Sequence, residues 1–367
     1  MLDPMTGSGT VCRQASDNGL RAIGLDMDPL AVLMTRTWTS PQADDVSQAF
    51  AAEVLIEART LPDEVHLDWI DAETEAFTRF WFADQQRGHL RKIAAVLNHY
   101  RKQNLTGNDA AALDIVSLAL SRIIVTKDNG ASLARDVSHS RPHKVSETSN
   151  FDVWRGFELA ASSIAKKLQA EPPKGGVGVF RGDARSMSDI GDETIDAVFT
   201  SPPYLNAIDY LRGHRLALVW LGHSLRELRS IRSDSIGAER RPDRSDDAEE
   251  FLRVRAAIGT TAQLPSRFSN MIDRYVQDLR RLMGEVARVL KPNGQTTFVI
   301  GNSCLRGVYI DNAGAVMKAG EESGLVVHSR VERDLPEASR YLPLTSNQLE
   351  KRMRREVILA FRKPNLN

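Results

Sequence analysis

The sequence Thr-Ser-Pro-Pro-Tyr at residues 200–204 constrains this chain more than any other stretch. It follows residues 195–199, an apolar run bounded by turn-forming residues, which predicts a buried strand. Two consecutive prolines end both a strand ladder and a helix, so the strand is expected to end in a rigid, open tip. A hydroxyl, a turn carbonyl and an aromatic ring then lie at the carboxyl end of a strand, where open α/β sheets bind ligands.

A planar base stacked on Tyr204 would direct an exocyclic amine at the Ser201 side chain and the Pro202 carbonyl. An ordinary proline-rich loop would have the same sequence, and from this stretch alone that is the better interpretation. The opening residues of the chain change the balance in favour of a ligand site.

The opening residues have the pattern of a strand end that runs into a Gly-rich turn and a helix over residues 11–18. Gly7 and Gly9 would let the backbone approach a ligand, at which the helix would direct its amino end. A phosphate loop would need a following Gly-Lys-Ser/Thr, and a dinucleotide turn would need a third glycine where Cys12 stands. Asp26 ends the next short strand, about 20 residues after the turn, where a carboxylate can accept both ribose hydroxyls. A helix cap is the alternative role for Asp26.

Together these motifs resemble the amino-group DNA methyltransferases that use S-adenosylmethionine. The resemblance rests on Asp-Pro-Met-Thr-Gly-Ser-Gly-Thr at residues 3–10, Gly-Leu-Asp-Met-Asp-Pro at 24–29 and Thr-Ser-Pro-Pro-Tyr at 200–204, in that order. The Ser-Pro-Pro-Tyr form resembles the branch that methylates the N4 amine of cytosine, whereas the adenine branch more often begins this motif with Asp or Asn. The match covers the sheet segments, about half of the chain.

The resemblance implies a doubly wound α/β fold, a Rossmann-like methyltransferase sheet with S-adenosylmethionine as cofactor and DNA as partner. The acid that bonds the cofactor's adenine amine in that family is matched by Asp183. The expected cofactor-binding residues are Asp3, Met5, Thr6, Gly7, Gly9, Thr10, Asp26, Asp183 and Thr200. The expected catalytic residues are Ser201, Pro202, Pro203 and Tyr204.

The predicted chemistry is direct methyl transfer from a sulfonium to a conjugated amine, with neither a metal nor a covalent enzyme intermediate. Hydrogen bonds from the amine to Ser201 and to the Pro202 carbonyl would localise the nitrogen lone pair and align it with the methyl carbon. Methylation of carbon 5 of cytosine would need a cysteine nucleophile, and neither Cys12 nor Cys304 adjoins the motif. The base would have to leave the DNA stack to reach this pocket.

The sequence between the motifs predicts a large helical insertion. We expect a cofactor-binding part over residues 1–38, the insertion over 39–174 with a role in target recognition, and the catalytic part over 175–367. Apolar spacing predicts helices over 46–58, 70–100 and 110–125, with the aromatic residues of 69–82 in the core. The charged segment 226–265 is expected to be mobile and to order on substrate.

Two groups of residues are candidates for contact with the target. The first group would line the target cleft, or merely cap and solvate a helix over 206–221, and comprises Asn206, Asp209, Tyr210 and Arg212. The second lies in a basic loop that would contact phosphate or read a base edge, or simply be solvated, and comprises His139, Arg141 and His143. The two histidines have no third ligand nearby in sequence, so no metal is expected.

Composition sets further bounds. Lys+Arg and Asp+Glu both total 48, so the net charge is zero, yet a neutral protein can still carry a basic face for DNA. The two cysteines are far apart and predict neither a disulfide framework nor a metal site. Nothing resembles a signal peptide or a membrane span, so a cytoplasmic location without a membrane partner is expected.

The resemblance also carries a departure and several alternatives. The first strand is cut to its last residues and the usual amino-terminal segment is missing, so we expect an upstream segment or a companion chain. A cognate restriction nuclease is a further candidate partner, whose existence the sequence does not decide. The alternative functions are an adenine-N6 DNA methyltransferase, an RNA or protein amino-methyltransferase, and a truncated or split-enzyme remnant that only binds DNA.

Overall fold

The computed structural model describes residues 1–41, 44–126, 129–135, 142–205, 209–238, 248–334 and 355–365. Its strands are β1 (Leu2–Asp3), β2 (Ala22–Asp26), β3 (Ala134–Arg135), β4 (His143–Lys144), β5 (Val177–Arg181), β6 (Ile195–Thr200), β7 (Leu290–Gly301), β8 (Ser303–Leu305), β9 (Val308–Ile310), β10 (Val326–Asp334) and β11 (Arg355–Arg362). Its helices are α1 (Thr10–Asp17), α2 (Pro29–Thr39), α3 (Asp44–Thr60), α4 (Ala72–Trp81), α5 (Asp84–Lys102), α6 (Gly107–Ile124), α7 (Val153–Ala170), α8 (Tyr210–Leu218), α9 (Leu225–Asp234), α10 (Glu249–Ala257), α11 (Ser266–Val289) and α12 (Asn312–Glu322).

Seven strands form the central sheet, in the order β10-β11-β7-β6-β1-β2-β5. The five strands from β7 to β5 are parallel, and β10 and β11 close one side as an antiparallel hairpin. On one face, an added Cβ at Gly24 would touch Cys12 of α1 and Thr35 of α2. On the other face, Leu2 and Val198 share one core with residues of α11 and α12. Helices therefore cover both faces, and the predicted doubly wound α/β fold is confirmed.

The strand β1 takes the central position even though it has only two residues. Leu2 is opposite Ile23 of β2 on one side and Val198 of β6 on the other. Leu2 is also fully buried, so its side chain joins the core beneath the sheet. The Gly-rich turn and the predicted catalytic motif therefore leave the same edge of the sheet from neighbouring strands.

The segment between α2 and β5 is helical and has its own core. The single helix predicted over 70–100 is wrong: α4 and α5 are separate, because the backbone is extended at Phe82 and Ala83. This break turns Phe82 into the core, where it packs edge-on against Trp220 with ring centroids 5.1 Å apart. Phe80, also expected in the core, is 54% exposed and lies under the ammonium of Lys144.

The segment following the catalytic motif is more ordered than the sequence predicts. The helix expected over 206–221 is shorter, since α8 spans only Tyr210–Leu218. The charged segment 226–265, expected to be mobile, contains α9 and α10, which bury Leu228, Ile231 and Val254. Residues 239–247, which make up most of its charged centre, lie outside the described residues. Among the helices that the structure describes, none has the length and hydrophobicity that a membrane span requires.

A buried ion cluster fixes α11 to the loop after β5. Asp278 of α11 is fully buried and accepts hydrogen bonds from Arg185 at 2.7 Å and from Arg274 at 3.2 Å. Arg185 also donates to the backbone carbonyl of Asp234 at 2.5 Å. Both guanidinium side chains are more than nine-tenths buried, and the Asp278 carboxylate contributes to compensating their charge, with Asp183 as a second partner of Arg185.

Replacement of Asp278 by alanine should destabilise the fold strongly. Asp278→Ala removes a fully buried carboxylate that two buried guanidinium groups share, and breaking such a pair typically costs roughly 3 to 5 kcal/mol. The matched control is Asp196→Ala, which removes an exposed ion pair with Lys291 and should leave the denaturation midpoint almost unchanged. Urea denaturation of the three proteins measures the difference. Equal midpoints for Asp278→Ala and the wild type would show that the cluster does not stabilise the fold.

Candidate active site

The Gly-rich turn after β1 is held against the carboxyl end of β2. The backbone N–H of Gly7 donates to one carboxylate oxygen of Asp26 at 2.9 Å, and the N–H of Asp28 donates to the other at 2.9 Å. Burial raises the pKa of Asp26 to about 6, although both backbone hydrogen bonds lower it. The alternative role of Asp26 as a helix cap is excluded, since Asp28 caps α2 by accepting from Leu30 N–H at 2.8 Å.

The two glycines of the turn have different structural roles. Gly9 has φ +85°, and an added Cβ would lie 2.8 Å from the Cα of Thr35, so only glycine lets α1 pack against α2 there. Gly7 also has positive φ, at +51°, but nothing lies within 4 Å of an added Cβ. Gly7 is exposed, so its backbone faces open space at the strand ends, as a ligand-binding turn requires.

A hydrogen bond between Asp3 and Thr200 joins the tips of β1 and β6. The Thr200 hydroxyl donates to Asp3 Oδ1 at 2.8 Å, and the same oxygen accepts from Met5 N–H at 3.2 Å. Both side chains are buried, so they lie beneath the site rather than facing a ligand. Burial raises the pKa of Asp3 to about 7, since desolvation outweighs the two hydrogen bonds.

Asp183 follows β5, the strand that lies on the opposite side of β2 from Asp3 and Thr200. Burial raises the pKa of its carboxyl, but the side chain and backbone N–H groups of Arg185 outweigh that effect and the pKa is lowered overall. The Arg185 side chain donates to both Asp183 oxygens, at 2.8 to 3.2 Å. Asp183 is therefore a fixed, ionised acceptor beside Asp26, whose carbonyl accepts from Gly182 N–H at 3.0 Å.

The predicted catalytic loop has a fixed geometry at Ser201. The Ser201 hydroxyl is exposed and donates to the carbonyl of Val299 on the neighbouring strand β7, at 3.0 Å. Its hydrogen therefore points to β7, and the oxygen lone pairs remain available to accept hydrogen bonds. Pro202 is buried, Pro203 is exposed and Tyr204 is half-buried. Desolvation raises the pKa of the Tyr204 hydroxyl to about 12.

A polar group at the end of β7 supports this loop from below. Ser303 donates its hydroxyl to the carbonyl of Leu205 at 2.5 Å, and Leu205 is fully buried. The buried side chain of Asn312 donates to Ser303 at 2.8 Å and to the Gly301 carbonyl at 2.9 Å. Ser303 and Asn312 are not among the site residues predicted from the sequence. The signal that could have identified Ser303 is the polar Gly-Asn-Ser run directly after a strand.

A second missed contact joins α8 to the loop after β2. His214 Nδ1 lies 2.6 Å from Asp28 Oδ2, so the helix that follows the catalytic loop is tied to the acidic end of β2. Burial lowers the pKa of His214, but the neighbouring carboxylate of Asp28 raises it more, and the pKa is raised overall. No local pattern predicts this contact, because the two residues are 186 positions apart in the chain.

The candidate target-contacting residues have mixed outcomes. Asp209 caps α8 by accepting from Arg212 N–H at 3.3 Å and pairs with Arg232 at 2.6 Å, which matches the capping alternative for this residue. Tyr210 is 62% exposed at the start of the same helix. His143 is exposed on β4, in a small hairpin attached to the helical insertion. The other candidates, Asn206, His139 and Arg141, lie outside the described residues.

The fold and the strand-end motifs define the class of protein that this chain resembles. A parallel sheet closed by an antiparallel hairpin, with the Gly-rich turn and the Thr-Ser-Pro-Pro-Tyr loop on adjacent central strands, has the architecture of Rossmann-like methyltransferases. Within the described residues, no group of three or more His, Cys, Asp and Glu side chains could hold a metal ion.

Comparisons with known proteins agree with that class. No protein-family model matches the chain. It is 22% identical over 347 residues to the type II methyltransferase M.MvaI of Kocuria varians, covering 84% of this chain and 71% of that protein. It is 22% identical over 366 residues to the type II methyltransferase M.BsoBI of Geobacillus stearothermophilus, covering 82% of this chain and 68% of that protein. The predicted resemblance to DNA methyltransferases is confirmed.

A solved structure was also found at low similarity. A crystal structure of an S-adenosylmethionine-dependent methyltransferase from Methanosarcina mazei is 8% identical and covers 99% of this chain and 91% of its own, with a TM-score of 0.33. At that similarity it supports no conclusion about this chain. The fold class follows from the observed strand order.

The buried carboxyl of Asp3 should give the fold a measurable pH dependence. Its pKa is about 7 when folded and near 3.8 when unfolded, so between these values only the folded chain holds the proton. The folded state therefore loses stability as pH rises from 4 to 7. The Asp3→Asn protein has no carboxyl group to titrate at this position. Its unfolding free energy minus that of wild type should therefore be larger at pH 8 than at pH 4 by a few kcal/mol, at roughly 1.4 kcal/mol per pKa unit.

Urea denaturation of wild type and Asp3→Asn at pH 4 and pH 8 measures this gain. The asparagine oxygen can still accept from Thr200 and Met5, so the comparison isolates the charge. Titration of groups that do not interact with Asp3 is shared by both proteins and cancels in the difference, whereas Asp26 and Cys12 interact with its charge. If the unfolding free energies of Asp3→Asn and wild type differ by the same amount at pH 4 and pH 8, the raised pKa of Asp3 is contradicted.

Proposed function

We propose that this protein transfers a methyl group from S-adenosylmethionine to the exocyclic amine of a base in DNA, with the N4 amine of cytosine favoured. The observation that carries the proposal is the Ser201 hydroxyl, which donates to Val299 and so presents its oxygen as an acceptor. It lies at the end of the strand next to the Gly-rich turn. The similarity to the two type II methyltransferases described above supports methyl transfer as the reaction.

The residues at the strand ends fit the cofactor. Gly7 faces open space, which leaves room for close approach of a ligand to the backbone. Thr6 has a buried hydroxyl for which the described part of the chain offers no hydrogen-bond partner. Asp26 and Asp183 provide acceptors for ribose hydroxyls and for the adenine amine. When bound, S-adenosylmethionine would supply an electrophilic methyl group; Thr6, Gly7, Asp26 and Asp183 would hold it.

The catalytic loop would act by positioning and by accepting hydrogen bonds. The amine of the extruded base would donate to the Ser201 oxygen and to the Pro202 carbonyl, while the ring stacks on Tyr204. These bonds strengthen as positive charge develops on the nitrogen, so they stabilise the transition state more than the bound substrate. The bond from Ser201 to Val299 would hold the oxygen in place before the base arrives, which is how preorganised groups accelerate reactions.

The identity of the first motif residue favours cytosine over adenine. A serine hydroxyl is smaller than a carboxylate and uncharged. An aspartate would attract the amine proton more strongly and is the commoner partner of adenine in the resembled family.

Removal of the Asp26 carboxylate should weaken cofactor binding. Asp26→Ala removes charged hydrogen bonds to the ribose, each worth about 1 to 3 kcal/mol, so the affinity for S-adenosylhomocysteine should fall roughly 10- to 100-fold. The control is Asp17→Ala, at the far end of α1, which pairs with Arg13 and should leave the affinity unchanged. Calorimetric titration measures all three proteins. Equal affinity of Asp26→Ala and wild type would remove Asp26 from the site.

Substitutions in the catalytic loop should separate chemistry from base binding. Ser201→Ala should lower the methyl-transfer rate on the order of a hundredfold with unchanged affinity for S-adenosylhomocysteine, because the lost bond acts mainly in the transition state. Tyr204→Ala should instead weaken DNA binding by about 1 to 3 kcal/mol of stacking energy. Ser233→Ala on the exposed face of α9 serves as control. A Ser201→Ala protein with wild-type turnover would exclude the proposed role.

The identity of the product tests the proposal as a whole. Labelled S-adenosylmethionine is incubated with wild-type protein and DNA, which is then digested to nucleosides and analysed by mass spectrometry. We expect 4-methylcytosine. 6-Methyladenine as the only product would contradict the cytosine assignment and keep DNA amino-methylation, whereas label found only in RNA would contradict both.

A further inference from the structure

Two guanidinium groups lie against one aromatic ring at the start of α11. The Arg267 guanidinium carbon is 4.7 Å from the centroid of the Phe268 ring, and that of Arg306 is 5.4 Å from it. Phe268 is half-buried, whereas both arginines are exposed. The ring attracts each cation, but the two cations repel each other. An anion between or beside them would relieve that repulsion.

The local charge balance around this ring is positive. In the part of the chain that the structure describes, neither Arg267 nor Arg306 has an ion pair, whereas Arg253 and Arg255 nearby on α10 are paired with carboxylates. The amino end of α11 adds to the same sign, since Pro265 offers no capping side chain and the first turn contains no acid. We name Arg267, Phe268 and Arg306 the arginine clamp.

Arg306 lies in a backbone conformation that few side chains favour. Arg306 and Gly307 form the two-residue turn between β8 and β9, with φ +47° and +89°. Such turns favour Asn-Gly, because most side chains are strained at positive φ. An arginine at the first position is less favourable for this turn than an asparagine would be.

The clamp lies at the same edge of the sheet as Ser201, the edge formed by the carboxyl ends of the parallel strands. The β8–β9 hairpin follows the carboxyl end of β7, and Ser303 at its base bonds the Leu205 carbonyl of the catalytic loop. An added Cβ at Gly237 would lie 3.7 Å from the Tyr204 carbonyl and 4.0 Å from the Tyr275 ring, so Tyr275 of α11 is near the loop. Arg267 is eight residues earlier, about 12 Å along the helix.

An open groove of about 420 Å³ adjoins the clamp. It is lined by Gln263, Leu264, Pro265, Arg306, Gly307 and Val308. None of these lining residues is acidic, so nothing in the groove opposes an anion. Planar guanidinium groups bind phosphate oxygens in a fork geometry that an ammonium cannot provide.

We propose that the arginine clamp binds the phosphate backbone of DNA beside the extruded base. This inference rests on the proposed function, because it takes the DNA duplex as the ligand. Contacts to phosphate position a protein on DNA without reading the sequence. The clamp would therefore set the register of the duplex over Ser201, and the choice of target sequence would come from other residues.

The test compares binding of a fluorescently labelled mixed-sequence DNA duplex over a series of salt concentrations. Arg306→Asn removes the charge and installs the residue that the turn favours, so this variant should fold at least as well as wild type. Combined with Arg267→Ala, it should weaken DNA binding at least tenfold near physiological salt. It should also reduce the slope of log affinity against log salt by nearly 2, at about 0.9 per phosphate contact.

Two controls keep the interpretation specific. Arg21→Ala removes an exposed arginine beside the amino end of β2, at the opposite edge of the sheet, and should change neither affinity nor slope. Affinity for S-adenosylhomocysteine and the thermal midpoint of the double variant report on folding and should match wild type. A double variant with wild-type affinity and salt slope would overturn the clamp.

Methyl transfer measured on the same proteins separates the clamp from the proposed function. If wild type methylates DNA and the double variant binds DNA normally, the clamp is wrong and the function stands. If wild type binds DNA with the predicted loss in the variant but transfers no methyl group, the clamp stands and the function is wrong. Absence of any DNA binding by wild type would overturn both.

Discussion

The hydrogen bond from Thr200 to Asp3 is the contact on which the geometry of the site depends. It joins two side chains that are 197 residues apart in the chain, at 2.8 Å and out of contact with solvent. Asp3 precedes the Gly-rich turn, which is hydrogen-bonded to Asp26. Thr200 precedes the catalytic loop, which is hydrogen-bonded to Val299 and Ser303. The strand tips therefore set the distance between the cofactor side and the target side.

The helical insertion contributes to the site through the helices that follow the catalytic loop. Buried residues of α8 and α9, among them Leu216 and Leu228, belong to the same core as α5 and α6. Trp220, just after α8, packs against Phe82 of the insertion. Because His214 of α8 also contacts Asp28, the insertion holds the far end of the catalytic loop against the end of β2. A displacement of the insertion would therefore move both the catalytic loop and the end of β2.

Local patterns predicted the strand before Thr200 and the short strand that ends at Asp26, because strand periodicity and turn residues are properties of short stretches. They failed where tertiary packing decides the outcome. Extended backbone at Phe82 divides one periodic segment into two helices, and no local signal marks it. Asp3 and Thr200, two of the predicted cofactor-binding residues, form a buried hydrogen bond with each other that no short-range pattern predicts. Arg185 and His214 were missed, because their partners are distant in sequence.

The structure shows how the described basic residues of this neutral chain are distributed between ion pairs and unpaired positions. Equal totals of 48 basic and 48 acidic residues give no overall attraction to DNA. Many arginines are engaged in ion pairs, as Arg185, Arg253 and Arg288 are, and these contribute little field of their own. Under the proposed function, attraction to phosphate would come from exposed cations near the site that lack carboxylate partners among the described residues, such as Arg267 and Arg306. A protein of this kind would bind DNA through few phosphate contacts, so its affinity would depend less steeply on salt than that of a strongly basic protein.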